Sequence, residues 1–550
     1  MIASGRFDTH EVLNQSPPYR DVDLYAGDRP LQEAVAANGD GHEGPVLSEF
    51  GRRWGAADMA EAAGQADRCS PVLHAFDGRG LRRDFVEFHP AYHRFMAESI
   101  AAGLHASTWD SAGARAPAPA EVARAARYYM VAQVENGHMC PITMTRASLA
   151  ALAAEPSLRD RFVSKIASRA YDPSFRPLEA KFGMTLGMGM TEKQGGTDVR
   201  TNTTRAAPAG EGYLLTGHKW FMSAPMCDAF LVLAQAPGGL TCFLLPRFRP
   251  DGSINAMRIE RLKNKLGNRS NASAEVEFAD AFAWRVGEEG RGVRTIIEMV
   301  QLTRLDCAVA SAGQMRAALA QALHHARHRS VFQRRLSDQP LMRSVLADLA
   351  LDLEGALALV MRLARAFDHA PRDPREAARA RLLTPAAKYW ICKTAPQFVS
   401  EAMECLGGNG YVEDGATARL YREAPVNAIW EGSGNVVCLD VLRVLEREPE
   451  AARAVVTELG QDLADLPGAA EAMTAMTRDF SASDREATAR RGVERLARLA
   501  AAAALRASAP DDVAEAFART RLAGWHGGTY GTVELDAHSI ARLVERVLPV

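Results

Sequence analysis

Apolar and polar positions change their period three times along this chain of 550 residues. Residues 1–45 carry turn formers and polar groups (Gln15–Tyr19, Tyr25–Pro30) with no repeat, which predicts an extended arm. From 46 to about 170 apolar residues recur at helical spacing, with a break at Ala116–Ala120. Within that stretch Val122–Leu152 fits one or two amphipathic helices interrupted at Cys140–Thr145. Between 187 and 290 the pattern shortens to runs such as Tyr213–Leu215, Phe230–Leu233, Thr241–Leu245 and Ala274–Phe278. Gly, Pro and Asp separate these runs, and Ala274–Phe278 alternates with period two, which predicts strands. Helical spacing returns at Gly292 and persists to about Leu445, broken at Pro340, at Pro371–Pro374 and around Gly407–Gly410. An alanine-rich helical section follows Glu448-Pro449. The fold expected is therefore multidomain α+β rather than an alternating βαβ fold. Its parts are an arm (1–45), a helical domain (46–186), a β-domain (187–290), a second helical domain (291–447) and a helical extension (448–550).

Composition changes this picture little. At 47% apolar and 24% charged residues the chain is an ordinary globular protein. A net charge of −2 provides no global field to recruit nucleic acid or an anionic membrane. The eight cysteines form no Cys-x-x-Cys pair and lie in apolar contexts, so they read as reduced core residues rather than staples or metal ligands. The N-terminus has no apolar signal core and no 18-residue apolar run occurs, which predicts a soluble, cytoplasmic protein without membrane contact.

Four segments carry candidate chemistry. In Gly187–Arg205, Thr191 and Thr197 flank a Gly195-Gly196 pair, where missing Cβ atoms allow backbone N–H groups to approach a phosphate or flavin ring; a plain polar turn is the alternative. In Ile429–Asn435, Glu431 follows Trp430 and precedes Gly432, Ser433 and Gly434. Burial beside the indole would raise its pKa as a general base requires, whereas a simple acid at a helix start would be favoured by the dipole. In Gly217–Ser223, Phe221 and Ser223 are either a ring-packing face with a hydroxyl donor or an ordinary strand with buried aromatics. Arg327–Arg335 holds four arginines, suited to a diphosphate or nucleic acid, or simply a solvated helix end.

Taken in order, these segments resemble the acyl-CoA dehydrogenase family of flavoproteins. Thr191-Glu192 with Gly196-Thr197-Asp198 is similar to its T-E-x-x-x-G-S-D signature, His218–Ser223 to its K-x-W-I-T strand, and Arg329-x-x-Phe332 to its R-x-x-F-G element. Leu406–Tyr411 and Trp430–Ser433 resemble its F-G-G-N-G-[FY] and Y-E-G-T motifs. The resemblance implies FAD as cofactor and an acyl-CoA thioester as substrate. It places Met190, Thr191, Gly196, Thr197, Phe221, Met222 and Ser223 around the flavin, with Trp430, Gly432, Ser433 and Asn435 meeting it from the second domain. Arg329, Phe332 and Gln339 are expected to reach FAD from a neighbouring subunit of a homotetramer. Glu431 is expected to remove the α-proton while the flavin accepts the β-hydride, with Arg304, of a Thr303-Arg304 pair beside it, as the second catalytic residue. Trp430 in place of tyrosine, Gln301 in place of aspartate and Gln333 in place of glycine depart from the family pattern.

Finer wording (Met190–Asp198, Leu262–Ser273, Ile429–Asn435) is similar to the branch of that family tied to the bacterial response to DNA alkylation. This implies a protein that binds and protects double-stranded DNA, with weak dehydrogenation of isovaleryl-CoA-like thioesters. A working short- or branched-chain dehydrogenase without a DNA role is the alternative. Residues 451–550 contain 12 arginines, no lysine and 14 acidic residues, a poor electrostatic footprint for a duplex. Arg485, Arg490, Arg491, Arg495 and Arg498, joined by Arg443 and Arg447, are the candidates for a basic face; an oligomerisation role is equally open for this section.

Overall fold

The computed structural model describes residues 9–110, 112–524 and 527–549. The N-terminal region contains helices α1 (Arg29–Asn38), α2 (Gly44–Trp54) and α3 (Ala57–Arg68), the strands β1 (Val72–Phe76) and β2 (Arg82–Glu87), and helices α4 (Pro90–Ala101), α5 (Ala120–Ala132), α6 (Met139–Leu152) and α7 (Pro156–Ile166). The arm is thus not wholly extended. Asp28 caps α1 through Leu31 N and Pro30 sits in the first turn, where its missing N–H costs nothing. The buried Asp28 also accepts from Tyr129 OH at 3.0 Å and Arg316 Nε at 2.8 Å, which fastens this part of the arm to the core. The expected interruption at Cys140–Thr145 lies earlier, at 133–138. Pro141 occupies the first turn of α6 and does not break it. The hairpin β1–β2 is an element the helical spacing concealed, although its Asp77-Gly78 turn was visible in the sequence.

The middle region forms a seven-stranded sheet from β3 (Leu186–Gly189), β4 (Arg205–Ala209), β5 (Gly212–Ser223), β6 (Ala229–Ala236), β7 (Gly239–Pro246), β8 (Met257–Leu262) and β9 (Ser273–Val286). Pairings run β5–β4–β6–β7–β9 and return from β9 to β5, so five strands close a ring. Leu231, Val232, Phe243, Leu244 and Ala281 are fully buried in it.

Three long helices follow: α8 (Gly292–His328), α9 (Pro340–His369) and α10 (Pro374–Glu404), with a two-residue-per-strand hairpin, β10 (Ser330–Val331) and β11 (Arg334–Arg335), between the first two. Short helices α11 (Gly408–Tyr411) and α12 (Ala416–Glu423) lead to α13 (Gly434–Arg447). Asp306 on α8 accepts both guanidinium nitrogens of Arg124 at 2.7 Å and Arg146 NH1 at 3.0 Å, all three residues buried, tying α8 to α5 and α6. Seven cysteines are buried as expected; Cys69, closing α3, is exposed, and all eight are free thiols. Among the described residues no helix is long and apolar enough to cross a membrane.

The extension supplies α14 (Pro449–Asp462), α15 (Ala469–Ser481), α16 (Arg485–Ser508), α17 (Asp511–Ala518) and α18 (Ala537–Val547). It is docked on α9 and α1 by charge pairs, most of them buried. Arg521 donates to Asp352 at 2.8 Å and Asp348 at 2.5 Å, while Arg546 donates to Glu354 at 2.9 Å and Glu33 at 2.6 Å. Removing one side of a buried pair leaves the other charge uncompensated, at a cost of about 3–5 kcal/mol. Arg521→Met should therefore lower stability by about that amount and expose the chain after residue 447 to limited proteolysis. Adding Asp348→Asn and Asp352→Asn should recover most of the loss; an unchanged urea midpoint in the single variant would show that these pairs do not hold the extension.

Candidate active site

The turn bearing Glu431 runs between a 3-10 turn, Ala424–Ala428, and α13. Glu431 has φ +57° and Gly432 φ +100°. A non-glycine residue in this region costs about 1–3 kcal/mol and persists only where its surroundings enforce it. Here they do: Arg304 Nε donates to Glu431 O at 3.0 Å and Lys388 Nζ to Gly432 O at 2.8 Å. Arg304 is itself aimed by Asp440 at 2.6 Å, and Asp440 also takes two bonds from Arg381 at 3.0 Å each. Trp430 Nε1 donates to Asn427 Oδ1 at 2.9 Å, which fixes the indole beside the turn.

The Glu431 side chain points back at α8, where Thr303 Oγ1 donates to Oε2 at 2.7 Å. Burial raises its pKa; the Thr303 bond and the charges of Lys388 and Arg304 oppose this, and burial wins. The expected cause was the neighbouring indole, and the structure adds the floor of α8 and α10. Lys388, Arg381 and Asp440 had no signal in the sequence, because each acts across helices more than 40 residues apart in the chain or through backbone oxygens.

The β-domain half is built around a different carboxylate. Glu192, fully buried, accepts from Lys219 Nζ at 2.7 Å, Thr204 Oγ1 at 2.6 Å and Thr203 N at 2.6 Å, and these bonds hold it ionised despite burial. The loop above it displays Thr191 and Thr197, with Met190 half-buried and its carbonyl bonded by Asn202. The two glycines have separate reasons. Gly195 has φ +143° with open space where a Cβ would stand, whereas a Cβ at Gly196 would lie 2.2 Å from Thr191 Oγ1. On β5, the pleat sends Met222 into the core against Gly189, so its side chain is turned away from the site. Phe221 is 49% exposed and Ser223 half-buried on the other side. Lys263 Nζ sits 3.3 Å over the Trp220 ring and 4.6 Å over that of Phe221.

Cys140 connects the two halves. Its thiol, pushed up to about 12 by burial, lies among Lys265, Ser223 and Asn271 and within electrostatic range of Glu431. Ser223 and Glu431 therefore border one region although 208 positions apart. Burial brings Lys265 down to about 8, and its Nζ donates to Asn271 O at 2.6 Å.

Other expected residues fall elsewhere in the single chain. Phe332, on the β10–β11 turn, is 91% exposed; Arg329 donates to Asn14 O at 2.7 Å and Gln339 to Val331 O at 3.1 Å. Of the arginines considered for DNA, Arg491 and Arg495 both pair with Asp479, Arg498 pairs with Glu494 at 2.7 Å and Arg485 with Glu446 at 3.4 Å. Arg490 lies against Tyr389, and Arg443 is exposed on α13. The stripe that looked basic in sequence is largely neutralised within the chain.

Residues 14–173 match the AidB adaptive response protein N-terminal domain, residues 187–281 the acyl-CoA dehydrogenase middle domain and residues 290–446 the acyl-CoA dehydrogenase C-terminal domain. The Escherichia coli (strain K12) protein AidB is 50% identical over 462 residues, spanning 83% of this chain and 85% of that one. Acyl-CoA dehydrogenase family member 11 of Caenorhabditis elegans is 32% identical, spanning 78% of this chain and 70% of that one. The crystal structure of C. elegans ACDH-11 in complex with C11-CoA superposes with a TM-score of 0.85 at 27% identity, covering 96% of each chain. The chain belongs to the acyl-CoA dehydrogenase family, in its AidB branch. Members of the family bind FAD.

The residues present fit such a cofactor and an acyl thioester. Phe221 offers an exposed ring face. Ser433 stands at the N-cap of α13 with an exposed hydroxyl that makes no capping bond. Gln301, two residues before Thr303, buries an amide whose nitrogen and oxygen find no partner among the described residues. An unsatisfied buried polar group costs about 1–3 kcal/mol, so a ligand that bonds it gains correspondingly.

A raised carboxyl pKa fixes the sign of a stability effect. The native state holds the Glu431 proton more tightly than the unfolded chain, so Glu431 weakens the fold as pH rises above the ordinary glutamate value of 4.5. Glu431→Gln should raise the urea midpoint of the ligand-free protein at pH 7.5 and leave it unchanged near pH 4. An equal effect at both values would show that the carboxyl is not desolvated.

Proposed function

We propose that this chain binds FAD and oxidises acyl-CoA thioesters at the α,β-carbons, with Glu431 as the base. The observation that carries this is the half-buried Glu431 carboxylate, bonded by Thr303 on a turn that Arg304 and Lys388 lock, in the region bordered by Ser223. Met190, Thr191, Gly196, Thr197, Phe221 and Ser223 hold the cofactor from the β-domain, with Met222 contributing backbone only; Trp430, Gly432, Ser433 and Asn435 hold it from the helical side. When bound, FAD supplies the acceptor for the β-hydride.

The remaining work falls to the chain. Glu431 takes the α-proton as the α–β single bond becomes a double bond and the β-hydride departs. Burial raises its pKa, which makes it a stronger base for that proton than a solvent-exposed glutamate. Thr303 orients the carboxyl, and Arg304 positions it through the backbone. The half-buried Trp430 narrows the acyl space and favours short or branched chains. The exposed Phe332 and the Arg329 turn support a subunit contact of the homotetramer expected from the sequence.

DNA binding is a second reading. It is favoured by Arg443 and Arg447, both exposed on α13 and without an acidic partner among the described residues. The pairing of Arg485, Arg491, Arg495 and Arg498 weighs against a broad basic face.

Two measurements test these readings. Anaerobic mixing of the FAD-loaded protein with isovaleryl-CoA should bleach the visible flavin band, and Glu431→Gln should slow this by about 10²–10⁴. Bleaching at the wild-type rate in that variant would remove Glu431 as the base. Duplex affinity, if real, should fall with log[salt] at a slope of about −0.9 per phosphate contacted, and Arg443→Ala with Arg447→Ala should reduce that slope by about 2. A salt-independent or absent shift would remove the DNA role.

A further inference from the structure

The extension reaches the Glu431 turn. A Cβ at Gly434 would lie 3.0 Å from Lys393 Cε, 3.4 Å from Arg490 NH2 and 3.4 Å from Tyr389 Cε2. Lys393 and Tyr389 come from α10, whereas Arg490 comes from α16 in the extension. The Arg490 guanidinium stands 5.8 Å from the Tyr389 ring centre, and the charges of Arg490 and Lys393 both act on Cys438, one turn into α13. Two cations from separate elements thus converge on the backbone between Ser433 and Asn435.

Neither cation has a carboxylate in salt-bridge range among the described residues. This sets Arg490 apart from Arg491, Arg495 and Arg498 of the same helix, which are each paired. Glu494, the acid one turn along, is taken by Arg498. Both side chains are exposed, so water screens their mutual repulsion, and an anion between them is attracted by both. The chemistry that fits is a phosphate ester, which accepts from the planar guanidinium and the ammonium together. Gly434 is three residues from Glu431, a span of at most about 11 Å. A phosphate held there lies within reach of the catalytic turn.

We propose that Arg490 of the extension and Lys393 of α10 grip the diphosphate of the FAD held at the Ser433–Asn435 turn, so that the C-terminal extension is part of the cofactor site. The inference rests on the FAD reading above and takes Arg490 out of the candidate DNA surface.

The test uses the full-length protein stripped of flavin and titrated with FAD and with riboflavin, which lacks phosphate, following flavin fluorescence. Wild type, Arg490→Ala, Arg490→Lys and Lys393→Ala are compared after their melting curves are shown to coincide. Arg490→Ala should weaken FAD binding roughly ten- to hundredfold, the range for a hydrogen bond to a charged group, and leave riboflavin binding unchanged. Arg490→Lys should restore part of the loss. Equal FAD affinity in wild type and Arg490→Ala overturns the inference alone, while no FAD uptake by wild type overturns the cofactor reading with it. A loss confined to duplex DNA in the same variants would return Arg490 to nucleic acid and also overturn the proposal.

Discussion

The backbone at Glu431 sits in a conformation that a glutamate does not choose, and two cations keep it there by bonding consecutive carbonyls. Those cations come from α8 and α10, so the turn exists only when both helices are packed in register against α13. Asp440 completes the constraint from α13 itself by holding Arg304 and Arg381 together. The strain of about 1–3 kcal/mol is modest beside the several bonds that enforce it. What it achieves is direction: the carboxyl is turned into the protein, where burial raises its pKa and Thr303 fixes its orientation.

The same logic runs outward from the turn. Asp306, two residues beyond Arg304, anchors α8 to α5 and α6 through Arg124 and Arg146, and α6 carries Cys140 to the edge of β5. The β-domain meets the helical domains at the level of Ser223, and Glu192 stiffens the loop beneath Thr191 by spending its charge on Lys219 and two threonines. Two acids thus have opposite fates. Glu192 is saturated with donors and stays ionised, while Glu431 has one side-chain donor and a raised pKa.

Much of this was legible in the chain. Changes of period marked the β-domain, the long helices and their breaks at Pro340 and Pro371–Pro374, because strand and helix periods depend only on local alternation. The Glu431, Thr191 and Phe221 segments stood out because glycine beside acid, hydroxyl and aromatic residues is a local pattern. What could not be read was whatever depends on distant partners. The arm's helix hides among turn formers until Asp28 is seen capping it and bonding Tyr129 and Arg316. Met222 looked like its neighbours until the pleat placed it in the core. The arginines of α16 looked like a basic face until Asp479 and Glu494 were seen beside them. Lys388 and Asp440 were invisible for the same reason.

In the proposed reaction the half-buried carboxylate at position 431 removes the α-proton of an acyl thioester. Exchange of that proton measures it most directly, without waiting for hydride transfer. An acyl-CoA labelled with deuterium at the α-carbon should lose its label to water in the presence of the FAD-loaded protein, and should keep it when Glu431→Gln is used instead. Wash-out at equal rates in both proteins would show that Glu431 is not the base.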